Sequence, residues 1–198
     1  MVMSLGRTGL AADATPATPP AATPTKAAHQ AGATQLVVVT SLGSFTIELN
    51  DERAPLTVDS FLKYVDEGQY TGTIFHRVIA SFVVQGGGYD TNYKLKPAAR
   101  KAVNESGNGL TNVRGTVGLA RTSDPHGGDC QFYINLADNN ALDPSTARWG
   151  YAVFGKVVQG MDVVDRVGAV STGARGESKE DAPLEMIRIE HIDRVKKP

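Results

Sequence analysis

The sequence predicts a mainly β domain: a closed, eight-stranded antiparallel barrel capped by two α-helices. Three observations predict it. Short β-branched or alternating runs recur from Gln35 onward, two segments carry a 3.6-residue apolar period instead, and the strands are separated by turns and long loops without βαβ alternation. Closure removes unpaired strand edges, so a barrel is the economical arrangement for so many short strands.

Each element has a local reason. "QLVVVT" is a short β-branched run, and "GSFTIELN" alternates Phe45, Ile47 and Leu49 with Ser44, Thr46 and Glu48, the pattern of a half-buried strand. The "SLG" between them is a link of hairpin length. In "APLTVDSFLKYVDEG", Val58, Phe61, Leu62 and Val65 fall at i, i+3, i+4 and i+7, one helical face, with Pro55 suited to the start and Gly68 to the end. Strand-like segments follow at residues 73–78, 82–86, 116–121, 131–136 and 153–158. "GMDVVDRVGAV" reads as a second short helix through Met161, Val164 and Val167, and "PLEMIRIEHI" closes the chain as a strand. Between those last two, "GARGESKEDAP" reads as a charged, solvated loop.

Composition bounds the function. The 198 residues suffice for one good core, and 20 basic against 21 acidic side chains leave a net charge of −1. That balance gives no electrostatic case for nucleic acid or an anionic membrane. No apolar run reaches the roughly 18 residues that span a bilayer. One cysteine, Cys130, excludes an internal disulfide. The four histidines show no metal-ligand spacing, and "QGGGYD" lacks both the GxGxxG pattern and a following helix. His126 lies near Cys130, but a Cys–His hydrolase needs a third, orienting group. Residues 1–34 are rich in Ala, Pro and Thr and read as a disordered tail before a domain at 35–196. Such a spacer suits an exported protein, here periplasmic, with a cytoplasmic location as the alternative.

One stretch resists the sheet reading. "FHRVIASFVVQGGG" puts Arg77 inside an apolar run. Strict alternation gives Phe75, Arg77 and Ile79 one face and His76 and Val78 the other. An outward face over a partly solvated groove avoids the full cost of burying the charge. Taken alone, such an arginine is a wall residue in an ion pair, and one turned from any hollow and locked to an acid could do no chemistry.

Together with "GTVGLARTSDPHGGDCQFYINL" and "YAVFGKVVQGMDVVDRV", that stretch resembles the signature segments of cyclophilins, the peptidyl-prolyl cis-trans isomerases, of the bacterial cyclophilin A type. The resemblance runs from about Gln35 to Val195. It implies an enzyme without cofactor or metal that rotates X–Pro bonds and assists folding. Its partners would be proline-containing peptides and unfolded or partly folded proteins, and it would act as a monomer. It implies that Arg77 and Gln85 are catalytic, with Arg77 donating to the prolyl nitrogen. Phe82, Val83, Tyr133 and Leu142 would line the proline slot, closed on one side by Tyr151. Gln131 would hold a peptide carbonyl, and Ala120 and Arg121 would offer main-chain contacts. Facing opposite to Arg77, His76 reads as a structural, hydrogen-bonding histidine. Ala141 stands where many relatives have tryptophan, which implies weak cyclosporin binding, with Trp149 the nearby indole to compensate. Ala80 and Ser81 replace the usual proline and the residue after it in the turn following Ile79.

Overall fold

A computed structural model describes residues 33–176 and 178–195. All but the last two residues of the predicted tail lie outside that range.

Eight strands close a barrel. They are β1 (Gln35–Thr40), β2 (Gly43–Leu49), β3 (Thr73–Ile79), β4 (Val83–Asp90), β5 (Thr116–Leu119), β6 (Phe132–Asn135), β7 (Val153–Gln159) and β10 (Arg188–Arg194). The order around the barrel is β1-β10-β3-β4-β6-β5-β7-β2, with every pair antiparallel. Two helices, α1 (Pro55–Asp66) and α2 (Met161–Gly168), complete the expected set. The segment read as a solvated loop is instead a hairpin, β8 (Thr172–Arg175) and β9 (Ser178–Pro183), forming a separate two-stranded sheet. No helix among the described residues is long and apolar enough to cross a membrane.

The inward faces of the strands make one core. Leu36, Val38, Phe45, Ile47, Phe75, Val84, Phe132, Ile134 and Phe154 are essentially inaccessible to solvent. From α1, Phe61 enters this core with ring centroids 5.0 Å from Tyr70 and Phe154 and 5.6 Å from Phe132. The predicted face holds, with Val58, Phe61 and Val65 buried and Leu62 half-buried. Pro55 is at the helix start, and no local side chain caps it. The cap arrives from a distant loop: Glu105 accepts hydrogen bonds from the Leu56 amide (3.1 Å) and from the Thr57 amide and hydroxyl (both 2.7 Å). A carboxylate there satisfies orphan amides and complements the helix dipole.

Strand β3 corrects one expectation. Its register against β4 shifts between Phe75 and Arg77. Phe75 and Val78 both belong to the core, whereas His76, Arg77 and Ile79 are half-buried. A bulge therefore breaks the alternation at His76, so Phe75 and Arg77 do not share a face. The extra residue lets a core phenylalanine and an outward arginine stand two positions apart.

Candidate active site

Outside the barrel core lies a second, smaller apolar cluster. Val83, Ala120 and Tyr133 are its buried members, with Phe82, Leu142 and Tyr151 half-buried against them. These are the five slot residues expected from the sequence, joined by Ala120. Strand pairing explains why they meet. Arg77 pairs with Gln85, Gln85 with Tyr133, and Tyr133 with Gly118, a row across β3, β4, β6 and β5. Paired residues project from the same side of a sheet, and strands lie roughly 4.8 Å apart. Arg77 thus stands about 10 Å from Tyr133 on the same outer face, with Gln85 between them. Val84, Phe132 and Ile134 take the alternate positions and fill the core.

Two glycines make room. A Cβ at Gly118 would collide with Cζ and Oη of Tyr133, so the phenol ring crosses β5 where a side chain would otherwise stand. A Cβ at Gly88 would collide with Cγ of Gln131, which lies over that backbone.

The polar groups form a chain. Arg77 Nε donates to Asp181 Oδ2 at 3.2 Å, and Arg77 Nη1 reaches Gln85 Oε1 at 3.5 Å. Gln85 Nε2 in turn donates to Gln131 Oε1 at 3.2 Å. Arg77 has both an acidic partner and an open side. It is paired with an acid, yet only through Nε, and its side chain keeps 39% of its exposure beside the apolar cluster. Gln131, with its carbonyl accepting from Gln85, presents its NH2 as the donor end of the chain.

The pocket is braced from behind by buried asparagines that the sequence reading did not single out. Asn112 Oδ1 accepts from the Tyr133 hydroxyl at 2.6 Å and from Asn135 Nδ2 at 3.2 Å. Its Nδ2 donates to Asp143 Oδ1 at 2.8 Å and to the Tyr151 carbonyl at 3.4 Å. Asn139 Nδ2 donates to the Phe82 carbonyl at 2.8 Å and to Asn135 Oδ1 at 2.7 Å. Tyr133, Tyr151 and Phe82 are thus tied to one network. Burial pushes the Tyr133 phenol well above its ordinary pKa, so it remains the donor to Asn112. Of the three, Asn112 lies in the stretch "NESGNGLTNVRG", whereas Asn135 ends β6 and Asn139 follows it, so no single motif gathers them.

The other expected residues have partners of their own. The Ala120 amide donates to the Gln131 carbonyl at 2.9 Å, and its side chain belongs to the apolar cluster. The Arg121 guanidinium lies 4.5 Å above the Tyr151 ring and donates to the carbonyls of Gly150 (3.2 Å) and Trp149 (2.9 Å). It braces the slot's closing residue. Trp149 does not take the place of the missing tryptophan: it is 49% exposed and packs edge-on against His126 at 5.4 Å. His76 packs 4.4 Å from Tyr89; its buried Nδ1 makes no well-formed hydrogen bond, and the Ile74 backbone is only a minor hydrogen-bonding neighbour of the ring. Burial, aided by the neighbouring Arg77 charge, holds its pKa down to about 4.

Residues 35–194 match the family model described as "Cyclophilin type peptidyl-prolyl cis-trans isomerase/CLD". The chain belongs to the cyclophilin family. It is similar to a peptidyl-prolyl cis-trans isomerase of Acinetobacter baylyi, 47% identical over 162 residues, covering 82% of this chain and 86% of the relative. It is similar also to peptidyl-prolyl cis-trans isomerase B of Escherichia coli, 46% identical over 156 residues, covering 77% and 94%. The cyclophilin fold recurs in a crystal structure of a Cryptosporidium parvum cyclophilin type isomerase determined in the presence of the dipeptide Ala-Pro. That structure has a TM-score of 0.70 at 24% identity, covering 82% of this chain and 99% of the other. This cyclophilin is a peptidyl-prolyl cis-trans isomerase.

Proposed function

We propose that this cyclophilin rotates X–Pro bonds by holding the proline ring in the slot of Phe82, Val83, Tyr133, Leu142 and Tyr151 while Arg77 stabilises the twisted amide. Rotation must break amide resonance, against a barrier of roughly 18–20 kcal/mol. At 90° the prolyl nitrogen regains a lone pair and becomes an acceptor, which it is not in either planar form. A fixed donor at that nitrogen therefore binds the transition state selectively. A guanidinium remains charged and has a rigid fork of donors. One charge-assisted hydrogen bond is worth about 1.5–3 kcal/mol, or about 10- to 150-fold in rate. Gln85 steadies Arg77, and the Gln131 NH2 meets a peptide carbonyl.

The observation that supports this reading is the row Arg77–Gln85–Tyr133, which sets the cation and the apolar cluster on one face. The substrates that fit are proline-containing peptides and unfolded or partly folded chains, so the enzyme assists folding. The reading includes a monomer working in the periplasm, and cyclosporin binding weakened on the open side beside exposed Ala141.

The test is isomerisation of a short X–Pro peptide. Arg77→Ala is expected to lower kcat and kcat/KM in parallel by at least tenfold with the fold retained, and Arg77→Lys to lose part of the activity through poorer aim. Undiminished turnover in folded Arg77→Ala would remove the arginine from the mechanism. It would favour the alternative that the Asp181 pair makes Arg77 a wall residue.

A further inference from the structure

We infer that Asp181 is a positioning residue for the isomerase reaction, aiming the Arg77 guanidinium from outside the barrel; this rests on the role proposed for Arg77. The contact crosses 104 positions of sequence and comes from β9, a strand that is not part of the barrel. The hairpin carrying it is held in place. Ala182, next to Asp181, is fully buried, the Leu184 amide donates to the Ser171 carbonyl at 2.9 Å, and the Tyr93 hydroxyl donates to the Pro183 carbonyl at 3.3 Å.

Magnitudes decide what the contact is for. The side chains of Arg77 and Asp181 keep 39% and 34% of their exposure. A pair that open to water changes a folding equilibrium by about fivefold at most. Stability is therefore a poor explanation. Geometry is a better one. Asp181 takes Nε, the nitrogen nearest the stem, and Gln85 meets Nη1. Two contacts on one rigid plane fix its rotation, while the Nε contact itself takes neither terminal amino group. An arginine otherwise carries many rotamers into the transition state, and a donor oriented beforehand does not lose them there. Asp181 is not a member of the apolar cluster, so its effect belongs in kcat rather than in peptide binding.

The experiment compares Asp181→Ala and Asp181→Asn with the parent enzyme, alone and with Arg77→Ala. The readouts are kcat, KM and the 15N order parameter of the Arg77 Nε–H group. Asp181→Ala is expected to lower kcat about two- to fivefold, with KM unchanged within twofold and the Nε–H group more mobile. Asp181→Asn, which keeps an acceptor for Nε, is expected to recover at least half of the lost kcat. In the Arg77→Ala background, Asp181→Ala should change nothing further. Equal losses in both backgrounds would make Asp181 merely structural and overturn the inference. So would an Asp181→Ala enzyme with unchanged or raised kcat, which would mean the carboxylate is inert or drains the cation's field. If Arg77→Ala alone leaves turnover intact, the role of Arg77 fails first and the inference falls with it.

Discussion

Removing the Asn112 side chain should loosen the proposed proline slot through a single hydroxyl. In Asn112→Ala, the partners of the lost amide fare differently. Asn135 Nδ2 keeps Thr116 Oγ1 at 2.9 Å, and Asp143 Oδ1 keeps the residue-112 amide at 2.8 Å. The Tyr133 hydroxyl keeps nothing: Asn112 Oδ1 is its hydrogen-bond partner, and Tyr133 is 4% exposed. Orphaning that group costs about 1–3 kcal/mol, and the remaining lost hydrogen bonds and the small void bring the total to about 3–4 kcal/mol. Tyr133→Phe removes the hydroxyl itself and should cost about 1 kcal/mol, since Asn112 Oδ1 still accepts from Asn135. In Tyr133→Phe, the Asn112→Ala penalty should shrink by about 1–2 kcal/mol, because no hydroxyl is left to orphan. Urea unfolding of the four proteins gives the cycle, and kcat/KM on an X–Pro peptide should fall in Asn112→Ala as the ring loses its anchor. Additive penalties, within about 0.5 kcal/mol, would refute the reasoning by showing that the hydroxyl finds another partner.

Further predictions concern the turn, the strand and acid stability. Ser81 has φ of 58° in the turn closed by the Phe82 amide donating to the Ile79 carbonyl, so Ser81→Gly should raise stability by about 1 kcal/mol in urea melts. Gly118→Ala should push the Tyr133 ring out of the slot, costing about 1–3 kcal/mol and most of kcat/KM while circular dichroism stays barrel-like. The His76 pKa is depressed in the folded state, so its stabilisation is complete above the unfolded value near 6.5 and is lost as pH falls toward about 4. That loss amounts to about 3 kcal/mol, and His76→Phe should remove it from the difference between urea melts at pH 7 and pH 4.

Much of the fold was legible because its signals are local. The alternation of Phe45, Ile47 and Leu49 and the helical face of Val58, Phe61 and Val65 state which side of each element is buried, and eight barrel strands follow from such patterns. The β8–β9 hairpin was not legible. Its residues are mostly polar or charged, its buried described residues are Ala182 and Pro183, and its pairing stands on contact with the rest of the domain rather than on a period. The α1 cap was missed for the same reason, since Glu105 lies 48 residues from Thr57.

The sequence by itself determined the barrel and its helices, through apolar periodicity, and the membership of the second apolar cluster, through the family resemblance of three long motifs. Tertiary structure alone decided how that slot is aimed and held. The bulge at His76 turns Arg77 outward, Asp181 and Gln85 meet its guanidinium, and Asn112 receives the Tyr133 hydroxyl. Hydrogen bonds between distant residues depend on where strands bring them. A register shift of one residue reverses a side chain's face, and no local pattern records it.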